Sequence, residues 1–227
     1  MSDKPILFSA SMVRALFDGR KTQTRRVAKF VEAIDDGEFH IHSAGGGLYG
    51  ISENDVPNDA VDYAPYQIGD RLWIREAYRI NGWATDVATV FYRAHENASY
   101  SEMCEQWPVA DHKPIAVTPG KWRPGIHLPR WASRMTLVVT DVRVQRLQEI
   151  TEEDAIAEGA QCEFRTVHGL ASKSESHQFG FANVWDAING AGAWAANPFV
   201  VAYTFSVHHC NIDKFNNGDN QMRQASK

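Results

Sequence analysis

The chain has 227 residues, a size that suits one large domain or one small domain with long insertions. Its composition, 44% hydrophobic and 22% charged, is typical of soluble globular proteins, and no apolar run approaches the roughly 20 residues of a membrane helix. The net charge of −5 excludes a generally basic nucleic-acid-binding protein, so a nucleic-acid contact would have to come from a local patch. The first residues lack the charged start and apolar stretch of a signal peptide, and the sequence therefore predicts a cytoplasmic protein.

Three cysteines lie far apart, at positions 104, 162 and 210, and none belongs to a Cys-x-x-Cys pair. This pattern argues against a disulfide framework and against a zinc ribbon. The run His208-His209-Cys210 contains metal-binding residue types, but neighbouring side chains point in different directions and no further ligand cluster follows. The sequence therefore predicts no metal and no cofactor.

The first part of the chain predicts a short strand, a helix and an extended segment, in that order. The strand covers residues 5–9, and Ser9 or Ser11 is suited to cap a helix that begins near Ala10. Apolar residues at helical spacing predict one buried face, formed by Met12, Val13, Leu16 and Phe17. Residues 22–27 follow as a strand or an extended loop.

Apolar residues, alternating or continuous, predict the remaining strands. Residues 72–78 and 89–94 are two candidates, and residues 199–207 alternate along a final strand. The longest strand signal covers residues 135–147, and its first half is apolar on both faces, as in the central strand of a sheet.

Two further helices are predicted in the second half of the chain. Residues 151–154, Thr-Glu-Glu-Asp, resemble a capping box that opens a helix ending at Gly159. A second amphipathic helix is marked by apolar residues at helical spacing, namely Phe181, Val184, Trp185 and Ile188. Strands with a few short helices, without regular βαβ alternation, predict an α+β domain or a barrel with helices on its rim.

The predicted domain covers residues 1–207 and contains two long insertions, at about 31–66 and 95–125. Neither segment has a long periodic pattern, and at most a short hairpin is expected in the first. Two tryptophans are the expected anchors of the second, namely Trp107 and Trp122. Residues 208–227 are polar and are predicted to form a loose tail.

Six positive charges fall within 16 residues near the N-terminus, and only Asp18 opposes them. They are Arg14, Arg20, Lys21, Arg25, Arg26 and Lys29. In an acidic protein such a cluster predicts a local electropositive site for phosphates or for another anionic ligand. A solvated helix end and strand edge explains the same spacing equally well.

The combination of motifs resembles the ASCH domain of the PUA-like superfamily. Its parts are the run Gly-Arg-Lys-Thr-x-Thr-x-Arg at 19–26, the Gly69-Asp70 turn into a strand, and residues 139–147, 150–159 and 199–207. Residues 72–77 and 131–134 are similar to the larger phage and prophage branch of that family. The resemblance covers most of residues 5–207 and implies a PUA-like small β-barrel, with short helices on its rim and two long insertions.

The best-understood members of that family are small bacterial N4-acetylcytidine amidohydrolases, which hydrolyse the acetyl amide on the exocyclic nitrogen of cytosine. The resemblance implies that Lys21 is the proton acceptor, Thr24 the nucleophile and Glu158 the proton donor. A threonine hydroxyl needs an adjacent base, and a lysine serves as one when burial or neighbouring cations lower its pKa. The predicted substrate-binding residues are Arg20, Arg25, Arg26, Arg75 and Glu76.

One geometric condition and one rival acid remain open. On a regular strand over residues 22–26, Lys21 and Thr24 point to opposite sides, so a turn or bulge near Thr22 is required for them to meet. Glu76 is the rival acid because it shares a strand face with Leu72 and Ile74. An ion pair between Glu76 and an arginine is the alternative.

The basic cluster also suits other functions. A modified nucleoside or RNA is the expected partner, either of the amidohydrolase or of a non-catalytic RNA- or DNA-binding module. An RNA-cleaving enzyme that uses the same lysine and threonine region is a third possibility, and a structural role in a phage is a fourth. Turnover of N4-acetylcytidine distinguishes the first of these from the others.

Overall fold

The computed structural model describes most of the chain, namely residues 2–34, 37–43, 46–83, 87–97, 104–108, 120–167 and 170–215. These residues form two compact units, each made of separate stretches of sequence. Unit 1 contains the described residues of Met1–Gly19, Asp70–Val138 and Val207–Lys227, and unit 2 contains those of Arg20–Gly69 and Val139–Ser206. The predicted α+β class is confirmed, because strands combine with a few short helices. The single domain over residues 1–207 stays a prediction.

In unit 1, β6 (Arg71–Arg75) lies between two other strands. β1 (Asp3–Leu7) runs parallel to it, and the first residues of β10 (Thr136–Arg146) run antiparallel to it. Leu72 and Ile74 of β6 are buried, as expected for an interior strand. None of the helices in the described ranges is long and apolar enough to cross a membrane.

The strand predicted over residues 72–78 is divided in two. β6 ends at Arg75, and β7 (Tyr78–Trp83) begins after Glu76 and Ala77. β7 pairs with β8 (Val87–Tyr92), the counterpart of the strand predicted at 89–94, and β8 pairs with β9 (Cys104–Pro108).

β9 falls within the predicted insertion at 95–125, of which residues 98–103 and 109–119 lie outside the described part. Both expected anchors make contacts here. The indole of Trp107 is buried and donates a hydrogen bond of 2.9 Å to the Tyr92 hydroxyl. The ring of Trp122 lies under two guanidinium groups, those of Arg79 and Arg93.

The predicted N-terminal helix is confirmed as α1 (Ala10–Phe17). The Ser9 side chain accepts a hydrogen bond from the Met12 amide and caps the helix, and Val13 and Leu16 are buried. Gly19 follows with φ of 69°, a left-handed conformation that suits glycine at the end of a helix.

The C-terminal residues of unit 1 differ from the loose tail predicted after residue 207. Asn211 and Ile212 are buried. The Asn211 side-chain amide donates to backbone carbonyls of Arg130, Trp131 and Ser133. Residues 208–215 are therefore not a loose tail, and the rest of that prediction falls outside the described residues. A polar composition alone did not reveal this packing, because one asparagine supplies the hydrogen bonds and one isoleucine the apolar contact.

In unit 2, β2 (Gln23–Val27) runs antiparallel to β13 (Phe199–His208), and β13 is also the neighbour of β10. These three strands confirm the predictions at 22–27, 135–147 and 199–207. Val200 of β13 lies in a buried cluster with residues that follow β10 and with residues of the two helices described below. The cluster contains Leu147, Ile150, Ala155, Phe181, Trp185 and Val200.

The predicted insertion at 31–66 contains more regular structure than a short hairpin. β3 (Val31–Ala33), β4 (Glu38–Ile41) and β5 (Leu48–Ser52) form an antiparallel sheet, and α2 (Val56–Asp59) follows. β3 has only three residues, whereas the alternation of polar residues with Phe39 and Ile41 in β4 is a strand signal that the prediction missed.

The two helices predicted in the second half of the chain are α3 (Glu152–Ala157) and α4 (His177–Asn189), and a hairpin of β11 (Glu163–Val167) and β12 (Leu170–Ser176) lies between them in sequence. Single 3₁₀ turns complete the fold at Val61–Tyr63, Arg93–His95, Gly125–His127, Arg130–Ala132 and Leu147–Glu149.

The predicted buried face of α4 is only half correct. Phe181 and Trp185 are buried, whereas Val184 and Ile188 are 43% and 54% exposed. The buried stripe also includes the small residues Gly180 and Ala182, which an apolar periodicity does not single out.

Glu152 accepts the free amides at the start of α4. Its carboxylate binds the backbone amides of His177 and Gln178, at 2.7 and 3.2 Å, and the Ser176 hydroxyl at 3.0 Å. These hydrogen bonds, led by that of the His177 amide, lower the pKa of Glu152 from 4.5 to about 2.

A lowered carboxyl pKa predicts a specific acid sensitivity. The stability that Glu152 contributes is present above pH 4.5, its value in the unfolded chain, and is lost as the pH falls toward 2. We expect urea unfolding of Glu152→Gln to show a smaller drop in stability between pH 5 and pH 2 than the wild type shows. Glu153→Gln, on the same turn, serves as the control, and an equal drop in all three proteins contradicts the prediction.

Candidate functional site

A fully buried lysine stands at the centre of the candidate site in unit 2. The Lys21 side chain is 1% exposed, and its Nζ donates to Glu158 twice, to Oε2 at 2.6 Å and to the backbone carbonyl at 2.9 Å. The Glu158 side chain is 4% exposed. A buried charge of either kind is costly unless it is paired, and here each side chain supplies the partner of the other.

The end of helix α3 places Glu158 beside Lys21. Glu158 is the last, capping residue of that helix, and Gly159 follows with φ of 78°, which turns the chain away. The Thr22 amide donates to the Ala157 carbonyl at 2.8 Å. Residues 21 and 22 therefore satisfy two carbonyls that a helix terminus leaves unpaired, and the lysine charge faces the negative end of the helix dipole.

Arg25 binds the other oxygen of the same carboxylate. Its Nη1 lies 3.3 Å from Glu158 Oε1 and also donates to the Gln23 side chain, while its Nη2 lies 2.6 Å from Asp154 Oδ2. The Arg25 side chain has no exposed surface. Asp154 also accepts from Arg143 at 3.1 Å, on the solvent side of the cluster.

Burial dominates the electrostatics of the site. Desolvation lowers the pKa of Lys21, and the positive charges of Arg26 and Arg25 act in the same direction against the opposing effect of Glu158. Burial acts to raise the pKa of Asp154, but the charges of Arg25 and Arg143 together lower it below its ordinary value. The lysine is thus shifted toward its neutral form.

The predicted nucleophile lies on β2 but is not joined to this cluster. Thr24 is 1% exposed and pairs in register with Tyr203 of β13. No hydrogen bond among the described residues involves the Thr24 hydroxyl, and strand alternation places it on the face opposite Arg25. Lys21 precedes the first residue of β2. Strict alternation therefore does not fix the direction of the Lys21 side chain.

The basic cluster predicted from the sequence is divided by the fold. Lys21 and Arg25 are buried and paired with acids, whereas Arg20 and Lys29 are exposed. Arg14 belongs to unit 1 and donates to the Ala94 carbonyl. Two of the six charges, those of Lys21 and Arg25, are therefore buried in ion pairs and do not contribute to a positive surface.

Arg26 is half-buried on β2. Burial lowers its pKa, against the effects of Glu158, Tyr66 and Tyr203. Burial also favours the neutral forms of Tyr66 and Tyr203 and so raises the pKa of each. Arg26 is one of the predicted substrate-binding residues. It lies on the same side of the strand as Thr24, and its charge acts on both Lys21 and Glu158.

The other two predicted substrate-binding residues, Arg75 and Glu76, belong to unit 1. The Arg75 guanidinium lies 4.4 Å from the centre of the Trp73 ring. Glu76 is 1% exposed and forms a two-point ion pair with Arg134, at 2.8 and 3.0 Å. The structure therefore contains the ion pair that was the alternative to a role of Glu76 as the acid.

Sequence reasoning missed the acid that holds Arg25. Asp154 was assigned only to the start of helix α3, where its amide does bind the Thr151 hydroxyl. Asp154 and Glu158 are four residues apart and share one helix face, a spacing that pairs two carboxylates toward a common cation. That spacing was the available signal.

No group of three or more His, Cys, Asp or Glu residues in the described ranges is arranged to hold a metal ion. Comparisons of the chain with models of protein families, with curated proteins and with solved structures find no match.

Proposed function

We propose that this protein hydrolyses the amide of an N4-acylated cytidine or of a similar modified nucleoside, with Lys21, Thr24 and Glu158 as its catalytic residues. The proposal combines the resemblance to the ASCH domain, including its PUA-like barrel, with one observation. That observation is the buried contact of 2.6 Å between Lys21 Nζ and Glu158 Oε2, which joins the two residues that the motif assigns to proton transfer.

The chemistry requires a neutral amine and a nearby acceptor for its proton. The lowered pKa of Lys21 favours the neutral form, which takes the proton of the Thr24 hydroxyl as its oxygen attacks the acyl carbonyl carbon. The proton then crosses to Glu158, which delivers it to the exocyclic nitrogen as the carbon–nitrogen bond breaks. Water hydrolyses the resulting threonine ester, so amide and water yield carboxylic acid and cytidine.

This mechanism requires Thr24 to approach Lys21 when substrate is bound. Catalytic hydrogen bonds are often long or absent before substrate binds and shorten in the complex. Lys21 precedes β2 and is not part of the register that pairs β2 with β13. The alternation of side chains along the strand therefore does not determine the direction of the Lys21 side chain.

The experiment follows the release of cytidine from N4-acetylcytidine by the purified protein. We expect Lys21→Ala and Thr24→Ala to reduce turnover by about 10²–10⁴-fold, as for the loss of a general base or a nucleophile. Thr22→Ala is the matched control, because Thr22 lies between them in the motif and its side chain is exposed. Equal turnover in Thr22→Ala and Thr24→Ala contradicts the proposed nucleophile.

Two exposed cations favour a second candidate, a non-catalytic nucleic-acid-binding module. Arg20 and Lys29 are exposed, and the positive charges of exposed arginine and lysine side chains attract phosphates. Absence of turnover in the wild type, together with RNA binding that weakens steeply with salt, would establish this candidate instead.

A further inference from the structure

The two oxygens of Glu158 have different partners. Oε2 accepts from Lys21 at 2.6 Å, while Oε1 lies 3.3 Å from Arg25. Arg25 is in turn bound by Asp154 and by the side chain of Gln23, which itself donates to Thr204 at 3.2 Å. A chain of hydrogen bonds thus runs from β13 through β2 to the carboxylate.

This arrangement is costly for a purely structural ion pair. The Arg25 guanidinium is completely buried, and its Nε has no hydrogen-bond partner among the described residues. A buried unpaired donor is destabilising, and replacing a buried ion pair by apolar residues is often neutral or favourable. Groups of this kind concentrate where charges have to be held in a fixed arrangement.

We infer that Arg25, anchored by Asp154 and Gln23, is a positioning residue that holds one oxygen of Glu158 so that the other stays against the Lys21 amine. The role of this contact in turnover rests on the function proposed above. Arg25 does not touch the reacting atoms. It fixes the line along which the proton passes between Lys21 and Glu158.

The charges that face Lys21 predict the direction in which its pKa changes when Arg25 is replaced. Glu158 on α3 attracts its proton, Arg25 and Arg26 on β2 repel it, and Asp154 and Arg143 lie beyond Arg25. Arg25→Gln removes one repelling charge and one of the two cations that hydrogen-bond to the Glu158 carboxylate within the described ranges. The lysine then holds its proton more tightly, and its pKa rises.

The first measurement needs no substrate. The ¹³Cε signal of Lys21, identified by its loss in Lys21→Arg, is titrated by NMR in the wild type and in variants. We expect the midpoint in Arg25→Gln to move up by about one pH unit or more, a tenfold change in proton affinity. Arg146→Gln, which removes another ion-paired arginine of unit 2 bound to Glu53 at 2.5 Å, is expected to leave it unchanged. An unchanged Lys21 midpoint in Arg25→Gln overturns the inference.

The second measurement is the kinetics with N4-acetylcytidine. Arg25→Gln is expected to lower kcat about tenfold to a hundredfold with KM changed less than about twofold, and to recover activity as the pH rises through the raised Lys21 pKa. Arg25→Lys keeps the charge and is expected to recover part of the loss. If Arg25→Gln does not fold, Arg25→Met replaces it, because it also removes the charge, and a wild-type kcat with a wild-type midpoint in that variant overturns the inference.

The two proposals fail in distinguishable ways. A wild-type protein without turnover removes the proposed function, while the NMR titration still decides whether Arg25 controls the Lys21–Glu158 contact. Normal turnover with equal kcat in wild type and Arg25→Gln retains the function and removes the positioning role.

Discussion

Replacing Arg134 with methionine is expected to lower the free energy of unfolding by about 3–5 kcal/mol, the usual cost of removing one partner of a buried ion pair. Glu76 is 1% exposed, and both of its oxygens bind Arg134. The guanidinium also lies against two rings, 4.5 Å from the centre of Phe17 and 4.1 Å from that of Tyr92. The substitution removes the charge and these contacts together.

The pH dependence of this loss has a definite sign. Burial raises the pKa of Glu76, and the positive charge of Arg134 opposes the rise. Without Arg134 the pKa rises further, so the folded state binds a proton that the unfolded state releases. The stability of a group with a raised carboxyl pKa is complete below pH 4.5 and is lost as the pH rises through the raised value. The deficit of Arg134→Met is therefore expected to be larger at pH 8 than at pH 5.

Urea unfolding at these two pH values tests the prediction. Arg93→Met is the matched control, because Arg93 and Glu96 form an ion pair of 3.5 Å whose side chains are about half exposed, and such pairs contribute about 0–1 kcal/mol. The double variant Glu76→Leu, Arg134→Met is expected to regain most of the loss, because it removes the buried charges of Glu76 and Arg134 together. A loss in Arg134→Met no larger than that of Arg93→Met contradicts the prediction.

The strand predicted over residues 72–78 was too long, and the ion pair of Glu76 lies at the point where it divides. Alternation over residues 72–78 is a local property, and it correctly identified β6 and the start of β7. At the break, Glu76 pairs with Arg134, which is 58 positions away in sequence. A pattern within one segment contains no information on such a partner. By contrast, β10 and β13 were predicted nearly to the residue, because each is long and its burial follows its own apolar pattern.

The candidate site was also predictable only in part, namely where local sequence determines the structure. The capping sequence and the glycine after α3 were enough to place Glu158 at a helix end, and the motif selected Lys21. The contact between them spans 137 positions, and the bridge from Arg25 to Asp154 spans 129. These pairings depend on tertiary packing. The charges within residues 14–29 alone predicted an exposed basic site. The acids that pair with Lys21 and Arg25 are far away in sequence, so this local count did not include them.

Under the proposed function, Lys21→Arg is expected to reduce turnover of N4-acetylcytidine by about 10²–10⁴-fold while keeping the ion pair with Glu158. An arginine retains the positive charge and the hydrogen bond at the end of α3, but it does not release a proton in the range where proteins are stable. The larger side chain in a site that is 1% exposed costs about 1–3 kcal/mol of stability. Urea unfolding of Lys21→Arg beside the wild type checks that the assayed protein is folded.

The pH profile separates the two roles of Lys21. If the amine is the general base, wild-type turnover rises with pH as the lysine loses its proton, with a midpoint below the ordinary value of 10.5 because burial lowers the pKa. Lys21→Arg then stays inactive at every pH. If Lys21 only caps helix α3 and pairs with Glu158, the arginine satisfies both requirements and turnover persists. Turnover within a few-fold of the wild type in a folded Lys21→Arg protein would therefore remove Lys21 from the chemistry and leave it a purely structural residue.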